Sequence, residues 1–595
     1  MSIHTSDKVN DLLVKIEKMA SKNLKAKDIS NILAMAKGLF NIISEQELVK
    51  KDVVDIYGFL LSFWRFIAKK ERSASYHVRV YNPNFEEHGW NSGHTVVEFI
   101  GPDKPFQIDT LQILFSRLDI GIHNMMHIGG AKIQRDKDGN LLQISDISDI
   151  VDEPFEFESI AFFEIDSQQD NPEILEQLKE KIQEHLNYID LVVDDFEPMR
   201  NKLANTISEL TDNCPDKKCE DFSEALAFLE WLRDRHFIFL GYCDLNLEQK
   251  AKKASFSLVE QSGLGLLRLG TRYLSSNYHD FAKRLYTGQN QLSILSIAKS
   301  DHLSPVHRAG HMDIIGVTTY DENGKATGER RFLGLYTSVA YHSTPHNIPF
   351  LRLKVDKVLE RSGFRYDGHA YKTLNSILET YPRDELFLSS DDELFQTAMG
   401  ILHIKERQTL KLFVRKDTYS RYYFCMVFLP RERYNSEIRQ KIQAILSKTF
   451  NAKESVFKTS FTDESIHCRI DFTFYVDPKE KAKIEKVEEI EAKLRDISRN
   501  WEDDLLDALV DAYGENLGRS YYAEYHDGFL PAYKHDFHAR NAVIDIDHFE
   551  RVKKTNDIDM SLYRAIEESN DRIRNFRNPL RSLNLRMKIL IQGGF

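Results

Sequence analysis

At 595 residues the chain is too long for a single core, and 42% hydrophobic with 29% charged residues is the make-up of an ordinary soluble globular protein. A formal charge of −12 excludes the global basic excess on which nucleic-acid affinity rests. Five cysteines, an odd and sparse set, point to a reducing compartment rather than a disulfide frame. No signal-peptide core is evident at the N-terminus, and the most apolar window, 57–68, is too short for a bilayer and carries Arg65. The expectation is a cytoplasmic, multidomain α+β protein that binds neither membrane nor nucleic acid.

Over the first 70 residues the sequence predicts helices. Leu12, Leu13, Ile16 and Met19 share one face, and a longer apolar helix is expected over 47–69. Such a bundle packs on a neighbour rather than standing alone. At Ser75 the period changes. Strands are predicted over 76–81 and 95–100, with Asn82-Pro83 breaking the first. Gly101-Pro102-Asp103-Lys104-Pro105 leads into an amphipathic helix over 107–118, with Ile108, Leu111, Leu114, Phe115 and Leu118 inward. Two strands over 120–128 and 131–135, a loop over 136–158, a strand over 159–166 and a helix from Asn171-Pro172 to 187 complete a pattern close to a βαββαβ unit. Leu191-Val192-Val193 is a short apolar run before a helical stretch that reaches about 210.

Cys214-Pro215-Asp216-Lys217-Lys218-Cys219 reads as a polar linker at a domain boundary. Its cysteines are too widely spaced for CxxC redox chemistry and lack partner ligands for zinc. A helix is expected over 222–235 and an aromatic-rich strand over 236–247, followed by more strands to 345. The last two, 313–320 and 329–340, form a hairpin whose turn is Asp321-Glu322-Asn323-Gly324. Leu351, Val355, Val358 and Leu359 recur at helical spacing and Gly363 supplies the stop; a second helix covers 370–380.

Strands over 409–415 and 421–429 make a second hairpin. Ser436 is the expected N-cap of a helix over 437–450, and strands over 455–462 and 467–476 follow. From 479 to 513 a long charged helix is predicted, with Ile484, Val487, Ile490, Leu494 and Ile497 at heptad-like spacing for packing on another helix. Helices are expected to continue to about 576, Asn578-Pro579 breaks them, and a strand over 582–591 starts a further domain that is cut short.

Several residue groups invite a chemical reading. Gly263-Leu264-Gly265 with Gly270 lacks the GxGxxG spacing and any helix start, so a plain turn is expected in place of a phosphate cradle. His302, His307 and His311 with Asp313 could be drawn as a metal site, but Gly310 and the strand after it favour hydrogen-bonded loop histidines. Arg330, Arg331, Arg352 and Arg361 form a local basic group. It could hold a dicarboxylate by bidentate contacts, although a domain interface with acidic neighbours such as Asp384 and Glu385 is the plainer reading. Cys425 and Cys468 sit in apolar strands as core residues. No metal site and no catalytic constellation is assigned.

The stretches ERRFLGLYTSVAY (329–341), IPFLRLKVDKVLERSGF (348–364), LETYPRDELF (378–387) and MGILHIKERQTLKLFVRKD (399–417) resemble the N-terminal half of the large bacterial NAD-dependent glutamate dehydrogenases. The resemblance is dense over 220–586. It implies ACT-like domains at 73–200 and 401–478, a PAS-like sensor domain at 215–345, connecting helices at 346–400 and helical segments at 1–72 and 479–580. It also implies that residues 581–595 begin a truncated domain, and that the Rossmann-type region, the catalytic residues and the NAD site lie C-terminal to this chain. No catalytic or cofactor-binding residue is therefore expected here. The implied partners are the protein's own catalytic region, further copies of the chain and a small amino-acid effector. Where ACT domains bind amino acids, a glycine commonly lies beside the helix N-terminus. Pro105 and Phe106 hold that place, which weighs against a simple sensor. The candidate effector loops are Asp103, Pro105, Phe106 and Asp109 in one, and His307, Arg308, His311 and Asp313 in the other. Two other readings stay open: a purely structural scaffold, and an independent enzyme with an unrecognised site.

Overall fold

The structure, a computed structural model, describes residues 7–22, 24–40, 52–70, 75–145, 155–250, 253–275, 278–279, 281–282, 294–404, 409–461, 466–477, 486–498, 501–555, 559–564 and 585–590. It is α+β and divides into two compact units, 1–395 and 396–595.

The first unit opens with helices α1 (Asp7–Ala20), α2 (Ala26–Phe40) and α3 (Val53–Ile67), the last capped by Asp52, whose side chain accepts from Val54 N. They cover one face of an antiparallel sheet of order β1-β2-β5-β3-β4. Its strands are β1 (His77–Tyr81), β2 (Thr95–Pro102), β3 (Ile122–Arg135), β4 (Leu141–Ser145) and β5 (Glu156–Ile165). A short helix α4 (Phe85–His88) precedes β2. Strand alternation decides which residue meets which layer. Val96 and Ile100 of β2 join Ile16, Leu39, Leu60 and Phe63 in one core cluster. On β5, Phe163 meets Phe115 of α5 (Gln107–Arg117), with ring centroids 5.6 Å apart. Burying β2 and β5 on both faces explains why they read as apolar runs. Two expectations change here. The strands expected over 120–128 and 131–135 are one strand with an irregularity between Ile128 and Ala131. The expected loop over 136–158 contains β4, which a tight turn at 136–140 folds back on β3: Asp136 Oδ1 accepts from both Asp138 N and Asn140 N.

Helix α6 (Pro172–Asp194) absorbs the short apolar run at 191–193, and α7 (Phe196–Asn213) follows at once. Helix α8 (Glu220–Trp231) ends earlier than expected. Its chain passes through a kink in which Arg235 has φ +60°, and then enters β6 (Phe237–Lys250). The second sheet is antiparallel, of order β7-β6-β11-β10-β9, with β8 (Leu264–Gly265) paired to β6. The other strands are β7 (Lys253–Leu258), β9 (Leu295–Leu303), β10 (His311–Tyr320) and β11 (Ala326–Tyr336). The β10–β11 turn is as read, with Gly324 at φ +74° and Asp321 Oδ1 accepting from Asn323 N and Lys325 N. Strand β11 stops at Tyr336, and 338–340 begin α9 (Ser338–His342) rather than extending the strand. Helices α10 (Leu351–Ser362), α11 (His369–Thr380), α12 (Arg383–Leu388) and α13 (Asp391–Ile404) follow, and Gly363 closes α10 at φ +65°. Lys354 of α10 donates to the carbonyls of Leu386, Phe387 and Ser389 at 3.0, 2.9 and 2.6 Å, covering the open C-terminal end of α12.

In the second unit a sheet of order β12-β13-β15-β14 is formed by β12 (Lys411–Lys416), β13 (Tyr422–Pro430), β14 (Glu454–Phe461) and β15 (His467–Tyr475). Helix α14 (Ser436–Phe450) packs on it. Its cap is Asn435, not Ser436: Asn435 Oδ1 accepts from Ile438 N at 2.8 Å. Cys425 and Cys468 are core residues beside Ile442, Leu446 and Phe472. The long charged helix expected to reach 513 is two helices, α15 (Val487–Ile497) and α16 (Trp501–Tyr513). Ile490 and Leu494 of α15 are fully buried in the same core as the sheet and α14. Helices α17 (Glu515–Tyr525), α18 (Pro531–Asp536) and α19 (Ala539–Thr555) complete a bundle around Leu505, Leu509, Phe529 and Ile546. In place of helix, 559–564 form β16 (Asp559–Arg564), antiparallel to β17 (Leu585–Leu590). Ile484, the expected helix start at 47 and the break at Asn578-Pro579 lie outside the described residues. Among the described residues no helix is long and apolar enough to cross a membrane.

Candidate effector site

The two loops singled out in the sequence are some 200 positions apart, and the fold brings their leading residues into contact. Phe106 is the N-cap of α5 and has φ +73°, ψ 2°, the left-handed conformation that glycine adopts freely. The glycine is absent, yet the backbone takes the glycine-type turn. His307, in the β9–β10 loop, also has positive φ, +74°. Its ring lies 4.7 Å from the Phe106 ring, tilted by 51°. His307 N donates to Thr110 Oγ1 at 3.3 Å, and Nδ1 lies 3.4 Å from Asp109 Oδ2 without hydrogen-bond geometry. Arg117, at the far end of α5, donates to the carbonyl of Ser304 at 2.6 Å. The β9–β10 loop is also braced from within, because Ser304 Oγ donates to Val306 O and Ser304 N bonds to Gly310 O. Two non-glycine residues in a disfavoured conformation, packed on each other, mark a contact that the surrounding structure over-determines.

The rest of the first loop serves the domain itself. Lys104 bridges Asp190 and Asp194 of α6 at 2.8 and 2.6 Å. Buried Gln107 donates to Pro102 O at 2.8 Å, and its Oε1 has no partner. Asp103 and Pro105 are exposed. Asp103 faces the His127 side of the sheet, where burial pulls the imidazole below its ordinary value against the opposing pull of Asp103.

The second loop divides. Arg308 turns away from His307, donates to Tyr336 O at 2.8 Å and lies over the Tyr341 ring at 5.1 Å. His311 Nδ1 bonds to Ser300 O at 2.9 Å. Asp313 belongs to a separate buried cluster. Lys299 of β9 lies 2.7 Å from Asp313 Oδ1 and 3.1 Å from Asp384 Oδ1, and Tyr341 donates to that same Asp384 oxygen at 2.9 Å. Burial, partly offset by Lys299, pushes the Asp313 carboxyl up to about 6. Burial alone would pull Lys299 down, but the two carboxylates hold it well above its usual value, so it stays charged. The sequence gives little warning of this cluster: Lys299 is a single lysine in a strand, and Asp384 is read there only as an acidic neighbour of arginines.

The other groups resolve individually. His302 Nε2 contacts Leu274 O at 3.2 Å and His311 Nδ1 contacts Ser300 O, while the His307 ring packs on Phe106, so the three imidazoles do not converge. Among the described residues no group of three His, Cys, Asp or Glu side chains is placed to hold a metal. The four arginines do not converge on an anion site, and their partners differ from the expected Asp384 and Glu385. Arg330 pairs with Glu209, Arg331 with Glu329, Arg352 with Glu224 and Arg361 with Asp392. The glycine run at 263–270 is a turn: Gly265 has φ +58° and its N–H donates to Asp195 Oδ2 at 2.7 Å, the carboxylate that also receives Arg268.

Four family models match the chain: the glutamate dehydrogenase ACT1 domain over 35–182, helical motif 1 over 348–407, the ACT2 domain over 411–502 and helical motif 2 over 508–552. The chain belongs to this glutamate dehydrogenase family. It is 34% identical to the NAD-specific glutamate dehydrogenase of Halomonas elongata over 94% of its own length and 34% of the relative's. The protein of that name from Pseudomonas aeruginosa is 33% identical, over 96% of this chain and 35% of the relative. The Mycobacterium tuberculosis protein of that name is 24% identical over 58% and 21%. The chain thus spans about a third of the length of the first two relatives. The two ACT models fall on the first and third sheets, and the helical motifs on α10–α13 and on α16–α19.

Proposed function

We propose that this chain is the regulatory and subunit-joining part of an NAD-dependent glutamate dehydrogenase. Oxidative deamination of L-glutamate to 2-oxoglutarate, with reduction of NAD, is assigned to a nucleotide-binding region outside these 595 residues. The second sheet domain is read as a PAS-like module, and an antiparallel sheet whose first and last strands, β6 and β11, lie side by side at its centre is compatible with that.

The observation that carries the reading is the Phe106–His307 contact. At the helix end where an ACT domain would receive an effector, this chain places an imidazole from the neighbouring domain. A ligand entering there has to displace His307, so its binding energy would be coupled to the junction between the two domains. That differential is what regulation requires. The same contact supports the scaffold reading if nothing competes with His307.

Two measurements test this. The purified chain, given L-glutamate and NAD, is expected to form no NADH; turnover would refute the assignment. A thermal-shift screen with amino acids, dicarboxylates and nucleotides separates the two roles, since a binder at 100 times its Kd adds about 2.7 kcal/mol. A hit that the His307→Ala variant binds more tightly establishes the regulatory role. No shift with any of them retires it and leaves the scaffold.

A further inference from the structure

The linker between α7 and α8 holds two thiols that the sequence spacing had set aside. Cys214 is the C-cap of α7 and Cys219 the N-cap of α8. Four residues separate them, yet the chain between is curled so that both sulfurs address one oxygen. Cys214 Sγ lies 3.9 Å and Cys219 Sγ 3.2 Å from the carbonyl of Asp216. Lys218 N donates to Asp216 Oδ1 at 3.3 Å, and Lys217 Nζ to Asp212 O at 2.8 Å, so both ends of the curl are tied. Pro215 rests on the β10–β11 turn, where a Cβ added to Gly324 would come within 2.9 Å of it. Tyr320 of β10 is near enough to both sulfurs for their charges to act on its hydroxyl.

We propose that Cys214 and Cys219 are an oxidation site, which a small-molecule disulfide converts into an intrachain disulfide joining the end of α7 to the start of α8. The half-buried Cys219 is the attacking thiol and the buried Cys214 the resolving one. The Cys219 thiolate attacks one sulfur of the reagent, whose S–S bond breaks and releases one small thiolate. A mixed disulfide remains on Cys219. Cys214 gives its proton to water or to the released thiolate and attacks the Cys219 sulfur, expelling the second small thiol. Two protein thiols are oxidised, and one reagent disulfide is reduced to two thiols. Burial raises the Cys214 thiol above its ordinary value, which makes resolution the slow step at neutral pH. Both sulfurs lie within 3.9 Å of the same carbonyl oxygen, so they start as near neighbours. The inference is independent of the proposed function.

The test uses the full chain, oxidised glutathione and trypsin. Lys217 and Lys218 lie between the cysteines and are exposed, so trypsin cuts the chain between them. An intrachain disulfide therefore appears as two tryptic peptides held together, with a loss of two of the five titratable thiols and reversal by dithiothreitol. In Cys214→Ser the reaction is expected to stop at a glutathione adduct on Cys219. In Cys219→Ser, Cys214 is expected to stay a thiol. A stable glutathione adduct on Cys219 of the unsubstituted chain, linkage of either cysteine to Cys243, Cys425 or Cys468, or five unreacted thiols would each overturn the proposal.

Discussion

Glu98 offers a stability test whose sign runs against intuition for an ion pair. It lies on β2 under α3 and is wholly buried. Arg79 Nε donates to its Oε2 at 2.7 Å and Tyr81 to its Oε1 at 3.0 Å. Arg79 itself is anchored by Ser62 O and Oγ of α3. Burial still outweighs Arg79 and raises the carboxyl from 4.5 to about 7. The folded protein thus keeps a proton that the unfolded chain releases. The ionised carboxylate costs nothing below about pH 4.5, and the cost grows as pH rises and is complete above about pH 7. The gap corresponds to about 3 kcal/mol. Glu98→Gln keeps an acceptor for Arg79 and removes the charge. The variant is expected to match the wild type near pH 5 and to exceed it by about 3 kcal/mol near pH 8. The readout is hydrogen exchange of the β1–β2 ladder amides, which pair from His77↔Ile100 to Tyr81↔Val96. Variant and wild type are compared at one pH, so intrinsic rates cancel, and about a hundredfold more protection is expected in the variant at pH 8 alone. A difference that does not change with pH, or a variant less protected at pH 8, would show that the Arg79 pair outweighs burial and would refute the reasoning.

Lys299→Met removes the ammonium that pairs with Asp313 and Asp384. It is expected to cost about 3–5 kcal/mol at pH 8, and less at pH 5 where Asp313 takes up a proton; a urea midpoint unchanged at pH 8 would contradict this. Asp384→Asn takes one of two negative charges from that ammonium. The pH near 6 at which β10 amide protection changes should move down, and an upward move would reverse the assigned cause. Phe106→Gly relieves a non-glycine residue at φ +73° while losing the ring under His307. Overall stability should stay within about 1 kcal/mol, while exchange at the His307 amide rises; an unchanged His307 amide would mean that the ring contact does not hold the loop.

Periodicity carried most of the fold because it is a local property. Leu351, Val355, Val358 and Leu359 lie one turn apart, and all four are buried on one face of α10. Gly363 could be read as a stop because its left-handed φ needs no partner to justify it. Two expectations failed at the point where tertiary contact overrides propensity. Strand β3 continues across Gly129-Gly130 because β5 pairs with it on both sides of the irregularity. The 559–564 segment is a strand because β17, some twenty residues later, supplies its hydrogen-bonding edge. The cap of α14 moved by one residue because Asn435, rather than Ser436, has the extended backbone from which a side chain reaches N3. The candidate site was legible only as two separate loops. Neither loop by itself says that His307 lies against Phe106, and Arg308 and Asp313, neighbours of His307 in sequence, serve a different cluster. Phe106 also shows that residue type and backbone can part company: the missing glycine weighed against a simple sensor, yet the backbone takes the glycine-type turn and the aromatic ring serves as a contact surface.

Within the first unit, four of the described junctions between elements carry a charge with a named partner. Arg117 reaches the β9–β10 loop, Asp195 receives Arg268 and Gly265 N, Glu224 receives Arg352 and Phe350 N, and Arg330 reaches Glu209. Apolar surfaces slide past one another at little cost, whereas a buried carboxylate moved by one residue loses its donor and keeps its desolvation penalty. These contacts are unequal in what they can tolerate. Arg268 and Arg352 are half exposed, so water replaces their partners when a junction opens. Lys299 and Asp313 both sit on the sheet and remain paired if α12 withdraws, so Asp384 can leave without stranding a buried charge. His307 and Phe106 have no such reserve: each is held in a disfavoured backbone conformation and packs on the other. By this reasoning the Phe106–His307 contact is the one of these that cannot yield by small steps: its loss should free the β9–β10 loop at His307 while costing the unit as a whole little.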